Sequence, residues 1–289
     1  MENLKVFACS DSAEKFTEEV CDYLKIEKGS IKRMKFKNDN NFVQILESVR
    51  DKDIFLIQTT EPPVNERIME LLITIDAVKR ASAKRITVVL PYYMYSRSDK
   101  KDQPRIPVTA KLLAQLIEAA GANRVLTCDL HNKAIQAYFN INCDVLTGES
   151  LLEKYFDLKD IDNKVVVATD AGSSKKAYKY SEFFNCSIAL VDKRREGNDD
   201  RAIASTIIGD VSNKNAIIFD DEIDYHVYGV ATSKPEAQKL FDYAVKDAKC
   251  DSDFDNIVDT QTYSKSFVGY APSTLSITYF GSLGCKRFL

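Results

Sequence analysis

A chain of 289 residues with 45% hydrophobic and 29% charged residues is long enough for two α/β domains, each with its own core, and is no mini-protein. A formal net charge of −3 gives no global pull toward nucleic acid, and no apolar run approaches the roughly eighteen residues of a membrane helix, so neither partner is expected. Seven cysteines, at 9, 21, 128, 143, 186, 250 and 285, are odd in number and lack C-x-x-C spacing, which predicts reduced core thiols and supports neither a zinc site nor a disulfide framework. The opening MENLKVFACS already begins a strand, so no signal peptide is read and a cytoplasmic location is expected.

In chain order, Leu4 to Ala8 reads as a strand, and Ala13 to Lys25 as an amphipathic helix with Phe16, Val20, Tyr23 and Leu24 on one face. A helix at Asn41 to Val49, a strand at Ile54 to Gln58 and a long helix from Val64 to Ala81, begun after Pro62-Pro63, follow. Ile86 to Leu90 is a buried strand. PYYMYSRSDKKDQPRIPV, polar and bounded by prolines, then reads as a long loop of the kind that carries function. Helix Thr109 to Ala120 is ended by Gly121, and strand Arg124 to Cys128 stops at Asp129-Leu130-His131.

A second block begins near Thr147. Strand Lys164 to Thr169 ends at Asp170-Ala171-Gly172, helix Ser174 to Phe184 follows, and strand Ser187 to Val191 runs into a basic loop, Lys193-Arg194-Arg195. The short apolar strand Ala216 to Phe219 stops at Asp220-Asp221, and beyond Lys249 one strand candidate remains at Asn256 to Val258. Repeated βα units imply an α/β fold in which mainly parallel sheets are flanked by helices. The units fall into two domains, 1–146 and 147–289.

In open α/β sheets ligands lie beyond the carboxyl ends of the strands, which puts Asp220, Asp221 and Asp224 where a sugar or a metal-bound phosphate would sit. The plainer reading is that these acids cap the next helix. His131 lies directly after a strand and, with Asp170, could position Mg2+ on a nucleotide, although a lone histidine is more often structural. Arg97, Lys100, Lys101 and Arg105 are either a solvated charged turn or a forked phosphate grip. Lys193 and Arg195 suit a transferring phosphoryl group, whose charged transition state needs cations more than a base. Gly172 permits close backbone approach to a ligand.

PYYMYSRSDKKDQPRIPVTAKLLAQLIEAAGANRVLTCDLH, Asp170-Ala171-Gly172, Lys193-Arg194-Arg195, Gly209-Asp210-Val211 and Asp220-Asp221, in that order over about residues 4–224, resemble the ribose-phosphate pyrophosphokinase family. The resemblance implies two phosphoribosyltransferase-type domains and transfer of the β,γ-diphosphoryl group of Mg-ATP to the C1 hydroxyl of ribose 5-phosphate, releasing AMP. It implies that Phe36 and Asn38 hold adenine from a neighbouring subunit of a homo-oligomer built from dimers, such as a hexamer. Arg97, Asp102 and His131 would lie by the nucleotide, His131 and Asp170 would serve Mg2+, and Lys193 and Arg195 would stabilise the transition state. Asp220, Asp221 and Asp224 would hold ribose, with Gly229 the one glycine of the following phosphate loop. Ser48, Arg50, Ser82 and Gln136 match positions that bind phosphate or ADP in regulated members.

The sequence departs from the family pattern in three places. Asn40 stands where the family carries Glu, Tyr225-His226-Val227-Tyr228 replaces a small Thr/Gly phosphate cradle, and a strand and Thr-His-Gly segment are missing between Lys249 and Asp255. The tail SFVGYAPSTLSITYFGSLGCKRFL corresponds only loosely to the family's last helix. Two readings therefore stand: an active synthetase with a rebuilt phosphate loop, or an impaired homologue that binds nucleotide and assembles with or regulates an active one.

Overall fold

The computed structural model describes residues 3–157, 161–195, 202–220 and 276–281, the last segment and the ends of its neighbours by backbone alone. The chain divides into two compact units at Thr147 and Gly148. The first runs β1 (Leu4–Ala8), α1 (Asp11–Leu24), β2 (Ile31–Lys35), β3 (Asn41–Ile45), β4 (Asp53–Ile57), α2 (Val64–Arg80), β5 (Arg85–Leu90), α3 (Thr109–Ala120), β6 (Arg124–Cys128), a 3-10 helix (Lys133–Tyr138) and β7 (Asn142–Leu146). Five strands form one parallel sheet in the order β1-β4-β5-β6-β7. Strands β2 and β3 form a separate antiparallel hairpin.

Alternation along the strands supplies two apolar faces. Val6, Ala8 and Ile57 pack with Ala13 and Cys21 of α1, whereas Phe7, Ile54, Leu56 and Val88 pack with Leu71, Ile75 and Val78 of α2 and Leu113 and Ile117 of α3. Each fully buried Val, Leu, Ile or Phe among them contributes about 1.5–3 kcal/mol, and the alanines less. Ser10 starts α1 by accepting a hydrogen bond from the Ala13 amide at 3.3 Å, and the left-handed Lys25, at φ 56°, ends it.

The second unit contains α4 (Glu149–Asp157), β8 (Lys164–Ala168), α5 (Ser174–Phe183), β9 (Ser187–Arg195), β10 (Ala202–Ile208), β11 (Asn215–Asp220) and β12 (Ser276–Gly281). Its sheet is ordered β10-β9-β8-β11-β12, parallel throughout except for the edge strand β10. Val165 to Ala168 are all buried, as a central parallel strand covered on both faces requires. Phe156 of α4 and Ala177 and Tyr180 of α5 cover one face. No described helix in either unit is long and apolar enough to cross a membrane.

Strands β1 and β6 and helix α3 fall on their expected spans, and β4, α2, β5, β8, α5 and β11 lie within one residue of theirs at each end. The helix expected at Asn41 to Val49 is instead strand β3, ending at Ile45. Phe42, Ile45, Leu46 and Val49 mimic a helical stripe, but pairing with β2 through Met34–Phe42 and Arg33–Val43 overrides it. Lys193 to Arg195 are not a loop: they end β9 and pair with Ala202 to Ala204 of β10. Residues 276–281, in the tail likened to the family's last helix, form β12 against β11. The candidate at Asn256 to Val258 lies outside the described residues.

The hairpin is bonded to the body at its base. Arg33 donates to the Ala8 carbonyl at 2.8 Å and bridges Asp11 at 3.0 Å and Glu14, and Lys28 bridges Glu14 and, at 2.6 Å, Glu18. Burial alone would raise the Glu14 carboxyl, yet hydrogen bonds from Lys28 and Arg33 hold it below its ordinary value. A depressed carboxyl stabilises the fold above its unfolded pKa and loses that contribution as pH falls through the folded one. The melting temperature should therefore drop on acidification below about pH 4.5. Glu14→Gln should lower it at neutral pH and flatten the acid limb in melts followed by circular dichroism.

Gly29 marks a close backbone approach: its amide donates to the Val6 carbonyl at 2.8 Å, and an added Cβ would lie 2.3 Å from the ring of the fully buried Phe7. Gly29→Ala is expected to destabilise the first unit by about 1–3 kcal/mol, read as a lower denaturation midpoint, because the packed ring has nowhere to retreat.

Candidate functional site

Parallel strands bring the carboxyl ends of β4, β5 and β6 to one edge of the first unit, and the expected nucleotide-side residues follow from those ends or from the hairpin tip. The segment from Pro91 to Val108, after β5, is irregular as expected but firmly held. The Tyr93 hydroxyl donates to the Ala110 carbonyl at 2.8 Å, Ser96 donates to the Tyr92 hydroxyl at 3.0 Å, and Ser98 donates to Thr109 Oγ1 at 3.2 Å. Arg97 is exposed between Ser96, buried, and Ser98, half-buried, so its guanidinium is presented from an ordered backbone. Asp102 is exposed further along the same loop.

Asp99, only 4% exposed, is the residue that sequence reasoning missed. Its carboxylate accepts from Asn132 Nδ2 at 2.7 Å, and its carbonyl accepts from the Tyr138 hydroxyl. It thereby clasps the Arg97 loop to the segment that begins with His131. An aspartate in a polar loop reads as solvated, so burial was its one distinguishing mark. His131 is exposed. Two residues earlier, Asp129 is left-handed at φ 37°, with its amide donating to Leu146 and its carboxylate accepting from Thr147, both at 3.0 Å. Strained non-glycine backbone of this kind clusters at functional sites.

Phe36 and Asn38 lie at the tip of the β2–β3 hairpin. The Phe36 ring, 47% exposed, stands edge-on to Phe42 with centroids 5.7 Å apart, and Asn38 Oδ1 accepts from the Asn40 amide at 3.4 Å. Lys35 bridges Asp39 at 2.8 Å and Glu66 of α2 at 2.9 Å, and these hydrogen bonds push its ammonium up to about 12. Of the regulatory positions, Ser48 and Arg50 are exposed, Ser82 has φ 64° and its carbonyl accepts from the Asp51 amide at 3.0 Å, and Gln136 donates to the Cys143 carbonyl at 2.6 Å.

In the second unit, β8 and β11 run side by side as far as Ala168 and Phe219, which sets Asp170 and Asp220 just beyond the same edge. Asp170 closes the turn that leads into α5: its Oδ1 accepts from the Ser173 amide at 2.8 Å while the Ser173 hydroxyl donates back to the Asp170 carbonyl at 2.9 Å. A Cβ on Gly172 would approach only Asp170 Oδ1, at 3.3 Å, so the turn is open toward solvent. β9 pairs with β8 up to Leu190 and then continues to Arg195. Lys193 therefore stands roughly 10 Å past that edge at about 3.3 Å per residue. Lys193 and Arg195 occupy alternate positions of the β9–β10 arm. Asp221, Asp224, Gly229 and Tyr225 to Tyr228 lie outside the described residues.

Among the described residues no group of three His, Cys, Asp or Glu side chains converges as a metal cage. Magnesium keeps several waters and phosphate oxygens and takes one or two protein donors; of the two expected donors, His131 is exposed in the first unit and Asp170 in the second. The five described cysteines give no nucleophile. Burial pushes the Cys9 thiol up to about 12 and Cys143 to about 11, and raises Cys21, Cys128 and Cys186; all five are free.

Two units of this kind, with acids beyond the carboxyl edges and cations on a loop and an arm, define a two-domain phosphoribosyltransferase-type α/β protein. Residues 4–121 match the model of the N-terminal domain of ribose phosphate pyrophosphokinase. The ribose-phosphate pyrophosphokinase of Clostridium acetobutylicum is 47% identical over 224 residues, covering 77% of this chain and 70% of the relative. That of Bacillus subtilis is 42% identical over 222 residues, covering 77% and 69%. The crystal structure of phosphoribosylpyrophosphate synthetase from Mycobacterium smegmatis superposes with a TM-score of 0.69 at 36% identity, covering 76% of this chain and 71% of that one. The chain belongs to the ribose-phosphate pyrophosphokinase family.

Asp170 both closes a turn and is a candidate ligand, and two substitutions separate the roles. Asp170→Asn keeps the acceptor and should leave the melting temperature within a degree or two, whereas Asp170→Ala leaves the Ser173 amide without it and should cost about 0.5–1.5 kcal/mol of stability in chemical denaturation.

Proposed function

We propose that this chain is a ribose-phosphate diphosphokinase, using Mg-ATP and ribose 5-phosphate to make phosphoribosyl pyrophosphate and AMP. The observation that carries the reading is the Asp99–Asn132 clasp. It fixes the Arg97 loop beside the His131 segment, at the carboxyl edge of a unit whose sequence matches this family's N-terminal domain.

Phe36 offers its face to adenine and Asn38 its amide, from the hairpin tip of a neighbouring subunit in a homo-oligomer. Arg97 forks onto the nucleotide phosphates, and Asp102 orients the same ligand. His131 and Asp170 each supply a donor to Mg2+, which when bound draws charge from the phosphate oxygens. Asp220 and Asp221, with Asp224, accept hydrogen bonds from the ribose hydroxyls, and the segment around Gly229 receives the 5-phosphate. The C1 hydroxyl oxygen bonds to the β-phosphorus as the α,β-bridging oxygen departs with AMP, and the hydroxyl proton is lost to solvent. Lys193 and Arg195 balance the charge that this transfer develops. Phosphate or ADP at Ser48, Arg50, Ser82 and Gln136 would regulate the enzyme, and the cytoplasm is its proposed location.

The test is AMP release from Mg-ATP with and without ribose 5-phosphate. Ribose-phosphate-dependent AMP, reduced about 10²–10³-fold in Lys193→Ala, is expected of a cation acting on the transition state. ATP binding with neither AMP release nor ribose 5-phosphate binding would instead select the second reading, an impaired homologue, which the bulky Tyr225-His226-Val227-Tyr228 favours.

A further inference from the structure

The first turn of α2 touches both elements that the proposed function assigns to the nucleotide. Glu66 takes the Lys35 ammonium at 2.9 Å, and Lys35 also reaches Asp39 at 2.8 Å, so an acidic residue of the body grips the turn that carries Phe36 and Asn38. That turn is otherwise closed on itself: the Phe36 amide donates to Asn40 and the Asp39 amide to Phe36, both at 2.9 Å, with Asp39 left-handed at φ 68°. One residue before Glu66, Asn65 Oδ1 accepts from the Tyr95 hydroxyl at 2.6 Å. Tyr95 lies two positions before Arg97 in the loop after β5 and is itself left-handed at φ 58°. Neither Asn65 nor Glu66 belongs to the proposed ligand-contacting set. Both join a rigid helix to a segment whose aim decides whether that set converges.

We propose that Asn65 and Glu66 are positioning residues for the nucleotide, with Glu66 aiming the Phe36–Asn38 tip through Lys35 and Asn65 aiming the Arg97 loop through Tyr95. The proposal rests on the reading of those segments as the ATP side. Its two arms differ in chemistry. The Glu66 arm is an ion pair between half-exposed groups, individually weak and screened by salt. The Asn65 arm is a neutral hydrogen bond and is not.

The experiment is calorimetric titration of the full chain with a non-hydrolysable ATP analogue and Mg2+, and separately with ribose 5-phosphate, at about 0.05 and 0.5 M salt. Glu66→Gln is expected to weaken the analogue about twofold to fivefold at low salt and by less than twofold at high salt. Lys35→Met should add little in that background, because both substitutions break one path. Tyr95→Phe should weaken the analogue by a similar factor at both salt concentrations. None should change the melting temperature by more than a degree or two, or the binding of ribose 5-phosphate. A salt-independent loss in Glu66→Gln, or a parallel loss of stability or of both ligands, would overturn positioning in favour of a general structural role. Phe36→Ala separates the two failures. If it weakens the analogue while Glu66→Gln and Tyr95→Phe do not, the inference falls and the ATP-side reading stands; if it leaves the analogue unaffected, the reading falls and takes the inference with it.

Discussion

A parallel sheet places the carboxyl ends of all its strands on one edge, and most of the residues of chemical interest in this chain depend on that constraint. In the first unit the edge presents the Arg97 loop after β5 and Asp129 to His131 after β6; in the second, Asp170 after β8 and Asp220 at the end of β11. None of these residues is recruited by a dedicated fold of its own. Each follows or ends a buried Val/Ile/Leu-rich strand that has reached the sheet's rim, closely for Asp129 to His131, Asp170 and Asp220 and within a longer loop for Arg97, so the hydrophobic pairing of β5 with β6 and of β8 with β11 sets where the polar groups start.

Edges alone leave loops loose, and the first unit answers this with buried polar contacts. Asp99 is held by Asn132 and Tyr138 in a place where an unpaired carboxylate would be costly. Losing either partner would leave a buried polar group unsatisfied, at about 1–3 kcal/mol. The loop can thus keep Arg97 exposed without paying for disorder at every encounter with a ligand. The second unit uses a different device: β9 outruns β8 and is paired with β10, so the backbone at Lys193 and Arg195 is held in a ladder.

Regular, locally encoded parts of the fold were legible in the sequence. Leu4 to Ala8, Thr109 to Ala120 and Arg124 to Cys128 carry clean periodicity and stop signals, and the ordered motifs from Pro91 to Asp221 pointed to one family. Parts decided by pairing were not legible. Asn41 to Ile45 has a helix-like apolar stripe, yet Ile31 to Lys35 lies alongside it, and Lys193 to Arg195 read as a basic loop because three successive cations carry no strand alternation, although Ala202 to Ala204 pair with them. Asp99 was hidden for a related reason: its burial follows from Asn132, a contact 33 residues away that no local pattern announces.

Asp170 illustrates how a site residue can serve local structure and a binding role together. A carboxylate has two oxygens, and closing the turn before α5 engages Oδ1 through the Ser173 amide. That bond fixes the rotamer, which a ligand to a hard cation needs. The side chain stays exposed, beside a glycine that leaves the turn uncovered. Turn closure therefore does not compete with a binding role here; it orients the carboxylate in advance, so that less order has to be created when a ligand arrives.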